Sequence, residues 1–186
     1  MEEFESSIMV EVAKGDLSAF REIVERYQNP LLNYIYRYTG DRATSEDIAQ
    51  EVFLRVFKSA TEYLPLSSFK TWLFKIATNL CLNELRDNKM HRGTLDIFEL
   101  NEAGFVAFAS PLSLPDREAE GQELSEALRR AFKGLPGKQR LALLLHKYEG
   151  FSYLEISRMM DCSVSAVESL IHRARQGLKQ QLTPYL

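Results

Sequence analysis

The stretch YLEISRMMDCSVSAVESLIHRARQGLK, Tyr153 to Lys179, reads as a short helix, a turn at Asp161–Ser163 and a longer helix. Ser152 and Glu155 stand in capping-box register at the start of the first helix. Ile156, Met159, Met160, Val164 and Val167 would pack the two helices together, and Leu170, Ile171, Ala174 and Leu178 extend that apolar side. Ser165, Ala166, Glu168, Ser169, His172, Arg173, Arg175, Gln176 and Lys179 then face outward. A helix, a short turn and a second helix form the helix-turn-helix pattern, whose second helix enters the DNA major groove. Small residues at its start allow close approach to base edges. Arg173, Arg175 and Lys179 suit phosphate contacts, which position without reading sequence. Ser165 and Glu168 also fit a capping box, so Glu168 has a structural explanation as well.

Outward from this stretch the charge is uneven. Residues 1–128 carry 13 basic and 22 acidic side chains, a net of −9, whereas residues 129–186 carry 10 and 4, a net of +6. A basic last third on an acidic body suggests one part that meets a polyanion and another that meets something else. Simple unevenness of surface charge is the plainer alternative.

The rest of the chain has helical spacing nearly everywhere. Leu17, Phe20, Val24 and Tyr27 make one stripe. Leu31, Leu32, Ile35, Tyr36 and Tyr38 make another, with Pro30 expected near a first helical turn. After Gly40, Thr44 or Ser45 is the expected cap of a helix with Ile48, Val52 and Val56 on one face and Phe53 and Phe57 beside them. Ser67 or Ser68 should cap the next helix, which turns Phe69, Trp72, Leu73, Ile76, Leu80 and Leu85 toward a core. Periodicity dissolves from Met90 to Gly121, where residues 93–121 hold six acids and one arginine. So long a segment reads as a linker or as plain disorder. Further helices follow around Leu124–Phe132, in KQRLALLLHKYEG, in FSYLEISRMM and from the turn to about Leu182.

The composition narrows the function classes. At 186 residues and 45% hydrophobic, the chain can bury one core or two small ones. No eighteen-residue apolar run points to membrane insertion, and the acidic start MEEFE does not resemble a signal peptide. Cys81 and Cys162 lie far apart, and His91, His146 and His172 complete no zinc pattern. The expectation is a reduced, cytoplasmic protein with no metal and no cofactor. A redox-sensing role for either cysteine is set against a buried helical thiol. No paired carboxylates, activated nucleophile or phosphate loop appears, so no enzyme is expected.

SSFKTWLFKIATNLCLNELR puts aromatic groups near Lys70, Lys75, Asn79, Asn83 and Arg86. That combination supplies stacking, amide hydrogen bonds and backbone charge for single-stranded DNA. For the aromatics, an ordinary core is the alternative.

Taken with AFREIVERYQNPLLNYIYRYTGDRATSEDIAQEVFLRVF and LPGKQRLALLLHKYEGFSYLEISRMMDCSVSAVESLIHRARQGL, this segment resembles the bacterial extracytoplasmic-function (ECF) sigma factors of the sigma-70 family. The resemblance implies an all-α chain of two small domains. Residues 1–89 would form a sigma-2-like bundle, 90–121 an acidic flexible linker along the RNA exit path, and 122–186 a sigma-4-like helix-turn-helix domain. It implies binding to core RNA polymerase, recognition of −10 and −35 promoter DNA and transcription initiation. Asp47, Gln50, Glu51, Leu54, Arg55 and Lys58 would meet the β′ clamp. Tyr63, Ser67, Ser68, Lys70, Trp72, Lys75, Asn79, Asn83 and Arg86 would meet the −10 element, with a base captured near Tyr63–Ser68. Ser163, Ser165, Ala166, Glu168, Ser169, His172, Arg173, Arg175 and Lys179 would meet −35, in a domain that also docks on the β flap. An anti-sigma factor is the implied regulator.

Glu168 departs from the basic residues that many relatives carry there, and Leu170 does so to a lesser degree. Glutamate cannot neutralise phosphate but can accept from cytosine N4. The competing readings are a dimeric helix-turn-helix repressor or activator of duplex DNA, and a polymerase adaptor without DNA binding.

Overall fold

The computed structural model describes residues 2–91 and 118–185. Most of the linker expected at 90–121 therefore lies outside the described residues. The described residues are helical, with no strand among them. None of these helices is long and apolar enough to cross a membrane.

The first unit comprises α1 (Glu2–Ala13), α2 (Leu17–Thr39), α3 (Arg42–Lys58), a 3₁₀ turn (Ala60–Glu62) and α4 (Phe69–His91). Its core is Leu31, Tyr34 and Ile35 of α2 against Val52 and Val56 of α3 and Leu73, Phe74 and Ala77 of α4, all fully buried. Tyr34 and Thr78 pair hydroxyls at 2.9 Å across α2 and α4, which satisfies two polar groups inside that core.

Four local expectations are corrected here. Pro30 begins no helix; it lies within α2, which runs unbroken through both apolar stripes. An interior proline costs about 3 kcal/mol. Burial of each large side chain after it returns roughly 1.5–3 kcal/mol, enough to carry the helix through. The stripe itself runs through Ile23 and Tyr27, while Leu17 is left exposed at the helix start. Asp41, not Thr44 or Ser45, caps α3: its carboxylate accepts from the Thr44 backbone N–H at 2.7 Å. That bond holds the Asp41 carboxyl below its ordinary pKa. On α4 the buried line is Leu73, Ala77 and Cys81, which leaves Trp72, Ile76 and Leu80 half-buried at its edge. Ser68 does cap α4, accepting from the Thr71 N–H at 3.1 Å.

The second unit comprises α5 (Glu118–Gly134), α6 (Gly137–Lys147), α7 (Tyr153–Met159), α8 (Val164–Leu182) and a final 3₁₀ turn (Thr183–Tyr185). Leu141, Leu144 and Leu145 of α6 meet Ile156 and Met159 of α7 and Val167 and Ile171 of α8 in a buried apolar core. The two cores touch where Phe151 stands edge-on to Phe74, ring centroids 5.4 Å apart.

Candidate polymerase and nucleic-acid interfaces

The helix-turn-helix is built by two caps and one left-handed residue. Ser152 and Glu155 close their capping box: the carboxylate accepts from the Ser152 N–H at 2.8 Å, and Ser152 Oγ accepts from the Glu155 N–H at 3.3 Å. The Ser152 hydroxyl also donates to that carboxylate, and this is the main reason the Glu155 carboxyl lies below its ordinary pKa. Asp161 turns the chain at φ 50°, a conformation that Asp tolerates better than bulkier residues. Ser163 then caps α8, its Oγ accepting from the Ala166 N–H at 3.1 Å.

That register overturns the expected Ser165–Glu168 box. Ser165 lies inside α8, bonded to Ser163 Oγ at 3.0 Å. Glu168 is five residues past the cap, out of capping reach and exposed. Val164, expected in the packing, is 43% exposed because it starts the helix on its outer side. Cys162 is half-buried in the turn rather than in a helix, whereas Cys81 is fully buried in α4; burial raises both thiol pKa values. Of the −35 candidates, Ser163, Ser165, Glu168, Ser169, His172, Arg173, Arg175 and Lys179 are exposed, and Ala166 is half-buried. They form one open surface along α8.

On α3, Asp47, Gln50, Leu54, Arg55 and Lys58 are exposed and Glu51 is half-buried. Spacings of three and four residues put all six on one helix face, opposite Ile48, Val52 and Val56. Glu51 and Arg55 pair at 2.7 Å on that face. Leu54 and Phe57 add apolar area, 51% and 38% exposed.

Trp72, Lys75, Asn79 and Asn83 fall at intervals of three and four along α4; the last three are exposed and Trp72 is half-buried. Arg86 lies on the same helix, with its side chain outside the described residues. Lys70 does not join this stripe. At about 100° per residue it points half a turn from Asn79, and it contacts the second unit instead.

Between α3, the 3₁₀ turn and α4 lies an open cavity of about 540 Å³, lined by Arg55, Lys58, Ser59, Glu62, Tyr63, Leu64, Trp72 and Ile76. Tyr63 and Trp72 meet at a ring-centroid distance of 4.8 Å, and both pack on Phe69. Ser67 and Ser68 stand half-buried after the loop. Ser59 and Glu62 were not singled out from sequence, Ile76 was expected in the core, and Leu64 was covered only as part of the Tyr63–Ser68 loop. Leu64 and Leu66, 68% and 86% exposed, lie in the Tyr63–Ser68 loop that was expected to capture a base. Arg55 and Lys58, expected on the polymerase-facing surface, also form the cationic rim of this aromatic cavity.

The model of Sigma-70 region 2 matches residues 23–90, and that of Sigma-70, region 4 matches residues 125–178. The chain is 30% identical to the RNA polymerase sigma-H factor of Pseudomonas aeruginosa, covering 100% of this chain and 97% of the relative. It is 32% identical to the ECF RNA polymerase sigma factor SigW of Bacillus subtilis, over 92% and 93% of the two chains. With the ECF RNA polymerase sigma-E factor of Escherichia coli K12 the figures are 31%, 100% and 98%. In fold it resembles CnrH, solved in complex with the cytosolic domain of CnrY (21% identity, 97% of each chain, TM-score 0.68). It also resembles the sigma factor RpoE in complex with the anti-sigma factor NepR from Bartonella quintana (22% identity, 90% and 98% covered, TM-score 0.68). The chain therefore belongs to the extracytoplasmic-function RNA polymerase sigma factors of the sigma-70 family.

Proposed function

We propose that this chain joins core RNA polymerase in the cytoplasm and directs it to promoters through two separate DNA readers, leaving catalysis to the polymerase. The α3 face docks on the β′ clamp through Asp47, Gln50, Glu51, Leu54, Arg55 and Lys58. The cavity beside Tyr63 and Trp72 takes an extruded −10 base, while Lys75, Asn79 and Asn83 follow the opened strand, with Arg86 further along α4. The exposed side of α8, from Ser163 to Lys179, reads −35 as duplex, and the second unit also meets the β flap. Residues 1–89 and 122–186 serve as the two functional domains, joined through 90–121. An anti-sigma factor restrains the chain until a signal arrives.

The observation that carries this reading is the aromatic cavity opening beside the exposed lysine–asparagine line of α4. Opening duplex costs about 1.4 kcal/mol per step in lost stacking, and each base stacked on an aromatic regains roughly 1–3 kcal/mol. A few contacts of this kind therefore sustain a short melt. Size-exclusion chromatography with bacterial core polymerase tests the reading. A stoichiometric complex weakened by Asp47→Lys and Arg55→Glu is the expected result. Failure to bind core, together with tight duplex binding by the protein alone, would overturn it in favour of a stand-alone DNA-binding regulator.

A further inference from the structure

Two side chains near the start of α8 have no part in holding the fold and no use for phosphate. Val164 is the first residue of the helix, directly after the Ser163 cap, and is left 43% exposed. Four residues on, Glu168 is exposed as well, and among the described residues its carboxylate has neither a hydrogen bond nor an ion pair. Residues four apart lie one above the other on a helix, so the two share one face. That face is not the packed one, which belongs to Val167, Ile171 and Ala174, all buried. Glu168 is not needed as a cap either, because Ser163 Oγ already accepts from the Ala166 N–H.

Neither group fits the DNA backbone. Phosphate repels a carboxylate, and an isopropyl group offers it no donor. Base edges in the major groove are different, and the leading residues of a recognition helix are the ones that reach them. There the thymine C5-methyl group is a partner for an apolar side chain, and the cytosine N4 amino group is a donor for a carboxylate. Guanine and thymine turn acceptors toward the same carboxylate. Adenine sets its donor beside the N7 acceptor, a pattern that an amide matches better. Val164 and Glu168 are separated by about 6 Å along the helix axis. Base pairs are stacked at about 3.4 Å, which puts the two targets within about two pairs of each other.

We propose that Val164 is a specificity-determining residue of the −35 reader, seating a thymine methyl group beside a cytosine whose N4 amino group donates to Glu168. This deepens the −35 role proposed above for α8 and rests on it. Arg173, Arg175 and Lys179, further along the helix, supply attraction to any duplex through its phosphates. Glu168 opposes that attraction wherever it meets an acceptor, so it rejects wrong sequences as well as favouring the right one.

Selection of −35 sites from random DNA by holoenzyme tests this, comparing wild type, Val164→Ala and Glu168→Gln. The wild type should enrich a thymine and a cytosine within about two base pairs. Glu168→Gln should move the cytosine preference to adenine, whose N6 and N7 an amide meets together. Val164→Ala should lose the thymine preference and keep the cytosine. The selected site is then rebuilt with uracil in place of that thymine, which removes the methyl group alone. Wild-type holoenzyme should bind the uracil site about four-fold more weakly, the worth of one methyl group taken out of water, and Val164→Ala should bind both alike. The change is in the DNA, so the wild-type comparison is independent of how the variants fold. Equal wild-type binding of the thymine and uracil sites would overturn the methyl contact. A cytosine preference unmoved in a folded Glu168→Gln would overturn the carboxylate contact. Holoenzyme that selects −35 sites indifferent to both side chains would overturn this reader alone, whereas a chain that forms no holoenzyme would overturn the proposed function and the reader with it.

Discussion

The helices α4 and α8 each carry an exposed polar line, and the proposed function assigns them to different forms of DNA. The α8 line is long, mostly small or basic, and largely exposed on a scaffold whose caps fix its start at Ser163. The α4 line is shorter and joins a cavity where Tyr63 and Trp72 remain half-buried. A rigid helix with small leading residues suits an intact major groove. An aromatic cavity beside amides suits bases already out of the stack. On the proposed function, the two surfaces would divide labour by the state of the DNA as well as by its sequence.

The sharpest way to break this comparison is to remove the aromatics. Tyr63→Ala and Trp72→Ala should each cost about 1–3 kcal/mol in strand opening, read as loss of open complexes by holoenzyme with core binding retained. Thermal melts must show both variants folded, because Trp72 also packs on Phe69. Glu168 comes next. With Ser163 holding the cap, Glu168→Ala should leave stability nearly unchanged while relaxing discrimination at one −35 base pair by about 1–3 kcal/mol. Selection from random DNA by wild-type and variant holoenzyme would show which pair is relaxed. Arg173→Ala and Lys179→Ala should instead weaken all sequences alike, each lowering the salt slope of binding by about 1.

The smallest effect concerns the scaffold. Ser152→Ala should destabilise the second unit by about 1 kcal/mol through loss of the cap. The folded Glu155 pKa is depressed, so its stabilisation is present above the unfolded carboxyl value and is lost as pH falls through the folded value. Chemical denaturation between pH 7 and 3 should show that loss in the wild type and a smaller one in Glu155→Gln.

The two regions also differed in how far the sequence exposed them. The helix-turn-helix was legible because its signals are local: a capping box, a three-residue turn and spacing of three and four. The α3 face from Asp47 to Lys58 was legible for the same reason. Caps proved less certain, since Asp41 and Ser163 each had a neighbour able to do the same work. Pro30 misled because its local cost is outweighed by packing spread along the whole of α2. Helix α1 escaped notice altogether: the acidic start drew attention from the buried line of Ile8, Met9 and Val12, and from Glu5, which accepts from the Tyr27 hydroxyl. Lys70 looked like one more cation of the −10 helix. Its contact with Glu149, 79 residues away, has no local signature.

The most direct test of the division of labour is single-strand reactivity of thymines across −10 in a promoter selected by the holoenzyme. The wild type should render them reactive. Asn79→Ala/Asn83→Ala, both on exposed positions, should remain bound at −35 yet leave the −10 thymines protected. Equal melting by the variant, or loss of −35 occupancy together with melting, would contradict the account.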